Sequence, residues 1–295
     1  MSPATHSIEI IATGVGLSIQ DRGRCGWRRF GVPPGGAMDR RSARAANLLL
    51  GNQPDAAVLE ILMQGAELRI TRDLWVALAG ADLGCDVPLW TACELKAGTR
   101  VRFARNRAGL WAYLAVPGGF AMDPWLGSRS VDARNGLGEC LRPGDLLSAQ
   151  RVAPHFALDR IARRRLVVEQ QRDFSQPMTF ELLPGPQFEL FAEQARRQFF
   201  ASEWVVSAHS DRTGFRLEGP QLAVPASIRS EPVLPGSFQV PGNGQPIVTM
   251  FDGPTVGGYA NIAVLKEADI AWLAQCRPGT RLRFTLAAER LTAPR

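Results

Sequence analysis

The stretch Lys96-Ala-Gly-Thr-Arg-Val-Arg-Phe103 has a close copy in Arg277-Pro-Gly-Thr-Arg-Leu-Arg-Phe284. In both copies Gly supplies the permissive backbone of a turn. Val or Leu and Phe then alternate with Arg, which gives the following strand one buried and one wet face. A shorter third copy is Arg142-Pro-Gly-Asp-Leu-Leu147. Similar turn and strand units near the ends of both halves predict two related β domains.

The domain boundary is predicted between the copies, where residues 151–172 are charged and poor in Gly. We expect a first β domain at residues 1–150, a basic connector at 151–176 and a second β domain at 177–295. Strand-like runs flank the connector on both sides. They include Ile8–Ile11, Val58–Leu62, Leu74–Leu78, Tyr113–Val116, Trp204–Ser207 and Ile247–Met250.

Helices are predicted to be few and short. Arg40–Leu50 carries an apolar stripe of period 3.6, with Asp39 at the N-cap position and Gly51 at its stop. Phe188–Phe199 and Glu267–Gln275 are two further candidates. The remainder is left to strands and turns, so the sequence favours β barrels or sandwiches over a parallel βαβ sheet.

Composition supports a globular protein and argues against several classes. The chain has 295 residues, enough for about two domains, and its 45% hydrophobic residues argue against disorder. The net charge of +6 is spread along the chain. The one dense run, Arg163 to Arg165, favours a solvated connector over a nucleic-acid surface.

Cysteine usage and the N-terminus indicate a cytoplasmic, soluble protein. The five cysteines form no C-x-x-C pair and leave one thiol over in any pairing, which favours free thiols. The first ten residues lack a signal-peptide pattern, and no run of 18 apolar residues occurs. The three histidines do not have metal-ligand spacing, so no metal is expected.

Several loops place charged residues beside glycines, which suits an anionic ligand because free backbone N–H groups and Arg forks bind oxyanions. The candidates with local structural alternatives are Asp21 and Arg22, Asp211 and Arg212, Asp39 and Arg129. Asp39 has the alternative of capping its helix, the Asp-Arg pairs that of supporting turns, and Arg129 that of a surface charge. No loop matches a standard phosphate-binding motif, so we do not expect the chain to bind ATP by itself.

Nine segments in a fixed order resemble the allophanate hydrolase subunit 2 family, which includes KipA-type proteins, the C-type subunit of 5-oxoprolinase and the carboxyltransferase part of urea carboxylase. Among them are Ser18-Ile-Gln-Asp-Arg-Gly-Arg24, Gly31-Val-Pro-Pro-Gly-Gly-Ala-Met-Asp39, Leu126-Gly-Ser-Arg-Ser130, Ser210-Asp-Arg-Thr-Gly214, Ser230-Glu-Pro-Val233 and Gly257-Gly-Tyr259. The ordered set runs from about residue 14 to 284 and is specific, although any one segment would be weak.

The resemblance implies a mainly β chain of two tandem cyclophilin-like β-barrel domains. It also implies membership of an ATP-dependent 5-oxoprolinase complex that opens 5-oxo-L-proline to L-glutamate. The implied partners are a KipI-type protein, which corresponds to the B-type subunit of 5-oxoprolinase, and a separate A-type subunit. We expect ATP to be used by the assembled complex and the isolated chain to be inactive.

Two other functions stay open at this point. One is the carboxyltransferase component of a urea carboxylase-like system, with biotin supplied by another protein, because this chain has no A-M-K-M-type biotinylation site. The other is a non-catalytic, KipA-like regulatory role. An adjacent gene for the A-type oxoprolinase subunit, or for a biotin carboxylase, would separate the two enzyme functions.

The predicted site residues combine the loops with the resemblance. Asp39, Asp211, Arg212 and Asp252 are predicted to be catalytic; Asp21, Arg22, Arg129, Glu231, Gln239, Thr255 and Tyr259 are predicted to bind substrate. We expect the loops of the two halves to line one anionic-ligand cleft. The chain departs from the family pattern at Gly35, Pro254, Val256 and Ala260, and Pro254 replaces a glutamine that could bind a ligand.

Overall fold

The structure, a computed structural model, describes residues 6–150, 178–226 and 228–287. These residues form two units, the first with residues 6–25 and 35–150 and the second with 26–34, 178–226 and 228–287. The predicted connector at 151–176 lies outside the described residues, so the predicted domain limits stay a prediction.

The first unit contains nine strands in two antiparallel sheets. One sheet has the order β7-β4-β1-β9, formed by Arg100–Arg102, Ala66–Ile70, Ile8–Thr13 and Leu146–Leu147. The other has the order β2-β3-β8-β5-β6, formed by Gly16–Gln20, Val58–Leu62, Ala108–Ala115, Leu74–Asp82 and Thr91–Leu95. One apolar core draws on both sheets, including Ile10, Leu68, Ile61 and Val76.

Helix α1, Arg40–Leu49, packs against β5 and β8 through its buried residues Ala43, Ala46 and Leu49. This agrees with the predicted stripe, and Asp39 is the N-cap residue as predicted.

The second unit is built on a closed barrel with the order β10-β17-β14-β15-β12-β11-β18. Its strands are Met178–Pro184, Ala260–Leu265, Ser237–Val240, Ile247–Thr249, Gly214–Glu218, Trp204–Val206 and Arg281–Leu286. A two-stranded ribbon pairs β13, Glu231–Pro232, with β16, Val256–Gly257. Helices α2, Glu193–Ala201, and α3, Glu267–Ala274, belong to the same unit.

Aromatic rings fill the barrel. Phe238 on β14 lies 5.0 Å from Phe284 on β18, and the ring of Phe199 on α2 stacks on Phe284 at 5.2 Å. Since β14 and β18 are not neighbours in the barrel, Phe238 points into its interior. The next residue, Gln239, therefore points to the other side of the strand.

The repeated turn and strand units occur as predicted in both units. Gly98 and Gly279 have φ of 87° and 86°, a left-handed conformation that explains why Gly is needed there. Val101 and Phe103 are buried after the first turn, and Leu282 and Phe284 after the second. The prediction of a mainly β chain with a few short helices is confirmed: the described residues contain three α helices.

Some predicted bounds were wrong. The single helix expected at 188–199 is a 3-10 turn at Phe188–Leu190 followed by α2, because extended backbone at Phe191 and Ala192 interrupts it and Phe191 is buried. Strand β8 begins five residues before the predicted Tyr113, at Ala108, and β5 continues to Asp82. Each extension contains a glycine, Gly109 in β8 and Gly80 in β5, which weakens the strand pattern. Among the described residues, no helix combines the length and hydropathy required to cross a membrane.

Candidate functional site

The carboxylate of Asp21, at the end of β2, is buried and accepts four hydrogen bonds. The donors are the backbone N–H of Gly23 at 2.8 Å, the hydroxyls of Ser128 and Ser130 at 2.6 Å each, and the backbone N–H of Arg129 at 2.6 Å. The fold thus brings together two predicted motifs, residues 20–24 and 126–130. Because these four donors occupy the carboxylate, Asp21 holds the second loop in place.

Two arginines reinforce the same loop. Arg129, a predicted ligand-binding residue, donates from Nε to the backbone carbonyl of Met122 at 2.6 Å. Arg24 is 1% exposed, donates to the carbonyl of Ser130 and lies 5.4 Å from the ring centroid of Trp125. Sequence reasoning missed Arg24, although it stands in the same motif as Asp21 and Arg22.

Arg22 borders a small cavity beside α1. The cavity has a volume of about 40 Å³, and its charged lining residues are Asp21, Arg22, Arg40, Arg44 and Asp55. The Arg22 side chain is 60% exposed and lies 3.8 Å from Asp55, an ion pair of the weak surface type. Three arginines against two aspartates would favour an anion, and the substrate-binding role of Arg22 stays a prediction.

Asp39 caps α1. Its Oδ1 accepts from the backbone N–H of Ser42 at 3.0 Å and its Oδ2 accepts from the Ser42 hydroxyl at 2.5 Å. The backbone N–H of Asp39 donates to the hydroxyl of Tyr113 at 2.7 Å. These contacts realise the capping alternative, and the predicted catalytic role of Asp39 stays a prediction.

A buried carboxylate that sequence reasoning missed lies behind this cap. Glu60 on β3 accepts at Oε2 from the Tyr113 hydroxyl and from the backbone N–H of Met38, both at 2.8 Å. Burial, and then the charges of Glu60 and Asp39, raise the pKa of Tyr113 well above its usual value of 10. A single Glu within the apolar strand Val58–Leu62 was the available signal.

In the second unit, Arg212 and Asp252 form a bidentate ion pair. Nε of Arg212 lies 2.6 Å from Oδ2 of Asp252, and its Nη2 lies 3.0 Å from Oδ1. The Arg212 side chain is 20% exposed and that of Asp252 is 5% exposed. Two of the predicted catalytic residues are therefore in contact, and their side chains neutralise each other.

Asp211, the third predicted catalytic residue of this unit, is exposed and supports a turn. Its Oδ1 accepts from the backbone N–H groups of Thr213 at 2.7 Å and Gly214 at 3.1 Å. This is the geometry by which Asp stabilises a turn. The turn leads directly into β12.

A cluster of side-chain amides lies on β14 and β17, next to the ribbon. Gln239 is 5% exposed and faces Asn261, 3% exposed, across the antiparallel pair. Oε1 of Gln239 accepts from the Thr249 hydroxyl at 3.3 Å. Gln187 accepts from the backbone N–H of Asn261 at 3.1 Å and donates to Glu231 on β13 at 2.9 Å. Gln187 thereby links the barrel to the ribbon.

Gly257 on β16 covers this cluster. A Cβ at Gly257 would lie 2.6 Å from Nε2 of Gln239, closer than any real contact. Of the other predicted substrate-binding residues near the ribbon, Thr255 is 8% exposed and Tyr259 is 51% exposed. The fold thus gathers Glu231, Gln239 and the residues next to Gly257 in one region.

Sequence reasoning missed Gln187 and Asn261. Gln187 belongs to the matching segment Leu183-Pro-Gly-Pro-Gln187, and Asn261 follows Gly257-Gly-Tyr-Ala260 by one position. Gln187 lies in a segment of the family pattern and Asn261 lies next to one. Neither was selected, because an amide side chain does not titrate and so was not considered as an acid or a base. No group of three or more His, Cys, Asp and Glu capable of holding a metal occurs in residues 6–150, 178–226 and 228–287.

The fold is mainly β and has two units. Polar side chains cluster in the loops of both units. The family model for the carboxyltransferase domain, subdomain A and B, matches residues 30–286. The chain therefore belongs to this carboxyltransferase-domain family, which confirms the family resemblance drawn from the motifs.

The chain is similar to curated proteins with different functions. The C-type subunit of 5-oxoprolinase from Escherichia coli (strain K12) is 36% identical over 290 residues, covering 94% of this chain and 90% of that protein. Saccharomyces cerevisiae urea amidolyase is 27% identical over 304 residues, covering 94% of this chain but only 16% of that protein.

A solved structure matches the fold over nearly the whole chain. The crystal structure of TTHA0988 has a TM-score of 0.86 and 33% sequence identity. The match covers 96% of this chain and 57% of that chain, so this chain spans little more than half of the solved protein.

Proposed function

We propose that this chain is the C-type subunit of an ATP-dependent 5-oxoprolinase complex that opens 5-oxo-L-proline to L-glutamate. The observation that carries the proposal is the 36% identity to the C-type subunit of the Escherichia coli enzyme, which extends over 94% of this chain and 90% of that relative. Similarity over nearly the full length of both proteins supports a shared role more strongly than a shared fold does.

The reaction breaks the lactam C–N bond. Water supplies a hydroxyl to the carbonyl carbon and a proton to the nitrogen, while a second water hydrolyses ATP to ADP and phosphate. Resonance stabilises the lactam, so coupling to ATP provides the driving force. We propose that this chain contributes a surface for the lactam and that ATP is used by the assembled complex.

The proposed partners are a KipI-type protein, equivalent to the B-type subunit of 5-oxoprolinase, and an A-type subunit. The longer chain of TTHA0988, of which the matched part is 57%, supports a role for this chain beside another polypeptide segment. We propose that the isolated chain is inactive.

We place the complex in a reducing compartment, the cytoplasm. The five cysteines are free thiols, which fits that compartment. Burial raises the pKa of Cys85 to about 11, so this thiol stays protonated and unreactive near neutral pH.

A second candidate function is the carboxyltransferase component of a biotin-dependent urea carboxylase-like system. The family description and the 27% identity to urea amidolyase over 94% of this chain favour it. In that case another protein would supply the biotin, and the substrate would be a ureido or urea compound.

The test is to purify the chain with its A-type and B-type partners and to measure glutamate and ADP formed from 5-oxo-L-proline and ATP. The expected result is equal amounts of both products from the complex and none from the chain alone. Biotin-dependent carboxylation of urea without lactam opening would replace the proposal with the second function. Turnover by the single chain would refute its dependence on partners.

A further inference from the structure

The chain contains two Asn-Gly pairs, Asn135-Gly136 in the first unit and Asn243-Gly244 in the second. Such a pair is chemically labile, because the backbone nitrogen of the second residue can attack the side-chain amide carbon of Asn, and Gly has no side chain to hinder the approach. The attack needs an available backbone N–H and room for the chain to rearrange. The two pairs have the same residues, so any difference in their reactivity reports on the fold around them.

Asn135 and Gly136 lie in a short turn that is open to solvent. The turn joins Asp132 and Leu137, which exchange backbone hydrogen bonds of 2.7 and 2.9 Å. Asn135 and Gly136 are both exposed, and a Cβ on Gly136 would meet no atom within 4 Å beyond the adjoining residues. The Gly136 N–H donates to the Ala133 carbonyl over 3.4 Å, longer than the roughly 2.7 to 3.2 Å of an ordinary bond. The attacking nitrogen is therefore weakly held and unhindered.

Asn243 and Gly244 lie in a turn that is packed and bonded. The Gly244 N–H donates to the Pro241 carbonyl at 2.8 Å, and the Gly244 carbonyl accepts from the Leu222 N–H at 3.1 Å. Gly244 is buried, and a Cβ there would lie 2.6 Å from the Leu222 carbonyl oxygen. Oδ1 of Asn243 accepts from the Gln245 N–H at 3.1 Å. Attack at this pair requires these bonds to break first.

A buried carboxylate connects the Asn135 side chain to the fold. Nδ2 of Asn135 donates to Oδ2 of Asp132 at 2.7 Å, and the Asn135 N–H donates to Oδ1 at 3.2 Å. Asp132 is 0% exposed and follows Val131, whose carbonyl accepts from Nε2 of Gln20 on β2 at 2.9 Å. Conversion of the Asn135 amide to a carboxylate removes the Nδ2 donor and places a second negative charge against a buried one, which is unfavourable. The conversion should therefore destabilise the turn.

We propose that Asn135 is a site of spontaneous deamidation in the folded protein and that the fold protects Asn243. The backbone nitrogen of Gly136 loses its proton and bonds to Cγ of Asn135, while the bond from Cγ to Nδ2 breaks and releases ammonia. The product is a cyclic succinimide, which water opens at either carbonyl to give aspartate or isoaspartate. One water is consumed and one ammonia is released, so no oxidant or other reactant is required.

The test compares the two pairs within the wild-type chain. The folded full chain is incubated at mildly alkaline pH, which favours loss of the backbone proton, in water labelled with heavy oxygen. Peptide mapping by mass spectrometry then locates the label that each opened succinimide takes from water, and chromatography separates isoaspartyl from aspartyl peptides. Asn135 should react at least about tenfold faster than Asn243, the scale of one ordinary hydrogen bond that must break. In concentrated urea the two rates should become similar.

Variants assign the acidic form that accumulates to one residue. Asn135→Gln should abolish it, because the larger ring that Gln would form closes far more slowly. Gly136→Ala should suppress it, because a Cβ hinders the attack and the φ of 67° at this position disfavours Ala. Asn243→Gln is the matched control and should leave the accumulation unchanged. Urea unfolding verifies that each variant is folded.

The effect on the fold is measured with Asn135→Asp, which has the sequence of one deamidation product. Its unfolding midpoint in urea should be lower than that of the wild type, because it lacks the amide donor to Asp132. Wild-type protein after long incubation should show a second population with a lowered midpoint. A midpoint in Asn135→Asp equal to that of the wild type would overturn the structural role given to the contact with Asp132.

Two outcomes overturn the proposed modification. One is a rate at Asn243 in the folded chain that equals or exceeds the rate at Asn135. The other is an acidic form that accumulates unchanged in Asn135→Gln. Neither outcome depends on which reaction the complex catalyses, so the proposed function stands or falls separately.

Discussion

Two buried polar clusters, one in each unit, differ in how they are satisfied. Around Asp21, four donors from two loops meet one carboxylate. Around Gln239 and Asn261, one donor and one acceptor face each other without partners in the described residues. The first cluster uses its polar groups to hold the fold. The second leaves two buried amide atoms without a partner in the described residues, which costs stability.

Most residues that were predicted from sequence to be catalytic resemble the first cluster, because their polar groups already have partners in the fold. Asp39 caps a helix, Asp211 supports a turn, and Arg212 pairs with Asp252. Each is engaged within its own unit. Substitutions that remove a satisfied polar group should therefore lower stability, whereas removal of an unpaired amide should cost little.

The largest effect is expected for Asp21→Ala. Removing the carboxylate leaves the Ser128 and Ser130 hydroxyls and two backbone N–H groups without their acceptor in a buried loop. We expect the free energy of unfolding to fall by about 3 to 5 kcal/mol, since several charge-assisted bonds are lost together. Urea unfolding measures this.

Asp55→Ala is the matched control, because its ion pair with Arg22 is long and exposed. It should change stability by less than about 0.5 kcal/mol. A similar loss in both variants would contradict the role assigned to the Asp21 cluster.

The second effect concerns Arg212→Ala, which leaves the Asp252 carboxylate, 5% exposed, without its bidentate partner. A loss of about 2 to 4 kcal/mol is expected. Arg212→Lys should recover only part of it, because an ammonium group cannot reproduce the fork. Unchanged stability combined with weaker ligand binding would instead assign Arg212 to the ligand, as the sequence alone predicted.

Tyr113, which bonds to Glu60 and to the Asp39 N–H in the first unit, makes the free energy of unfolding depend on pH. The fold raises its pKa by burial and by the charges of Glu60 and Asp39. The neutral phenol is therefore favoured in the folded state, and its contribution is complete below the unfolded pKa of about 10. Stability should fall as the pH rises above that value.

Tyr113→Phe should cost about 1 to 3 kcal/mol near neutral pH, because Glu60 and the Asp39 N–H each lose a bond. It should also make the alkaline loss of stability less steep. Unfolding measured over a series of alkaline pH values tests both. Tyr259→Phe, at an exposed site, is the control and should change neither; the same alkaline slope in wild type and Tyr113→Phe would contradict the assignment.

The sequence was informative where one local rule decides the structure. The Gly98 and Gly279 turns, the Asp39 cap and the strand Val58–Leu62 follow from backbone freedom, capping and β propensity. The break at Phe191 and Ala192 was not predictable, because burial of Phe191 overrides local helix propensity.

The sequence identified several residues of the site, but it did not predict which residues contact one another. Gln239 and Glu231 were singled out from their segments, but pairing of Gln239 with Asn261 depends on the register of β14 and β17. Glu60 and Tyr113 meet across adjacent strands β3 and β8. Such partners are far apart in sequence, and only the strand pairing places them together.

The smallest effect is expected for Gln239→Met, compared with the same change at Gln20. Nε2 of Gln20 donates to the Ser18 hydroxyl at 3.0 Å and to the Val131 carbonyl at 2.9 Å, while its Oε1 has no partner in the described residues. Nε2 of Gln239 donates to no group in the described residues, and its Oε1 has one long bond from Thr249. Methionine has a similar volume, so both changes mainly remove polar groups.

Gln20→Met should therefore cost about 1 to 3 kcal/mol, because it leaves buried partners unpaired. Gln239→Met should stay within about 0.5 kcal/mol of the wild type or be slightly more stable, because it removes an unpaired donor along with one weak bond. Urea unfolding of both variants without ligand measures the difference. A loss at Gln239 as large as that at Gln20 would show that Nε2 is already bonded in the free protein, and the contrast between the two clusters would then fail.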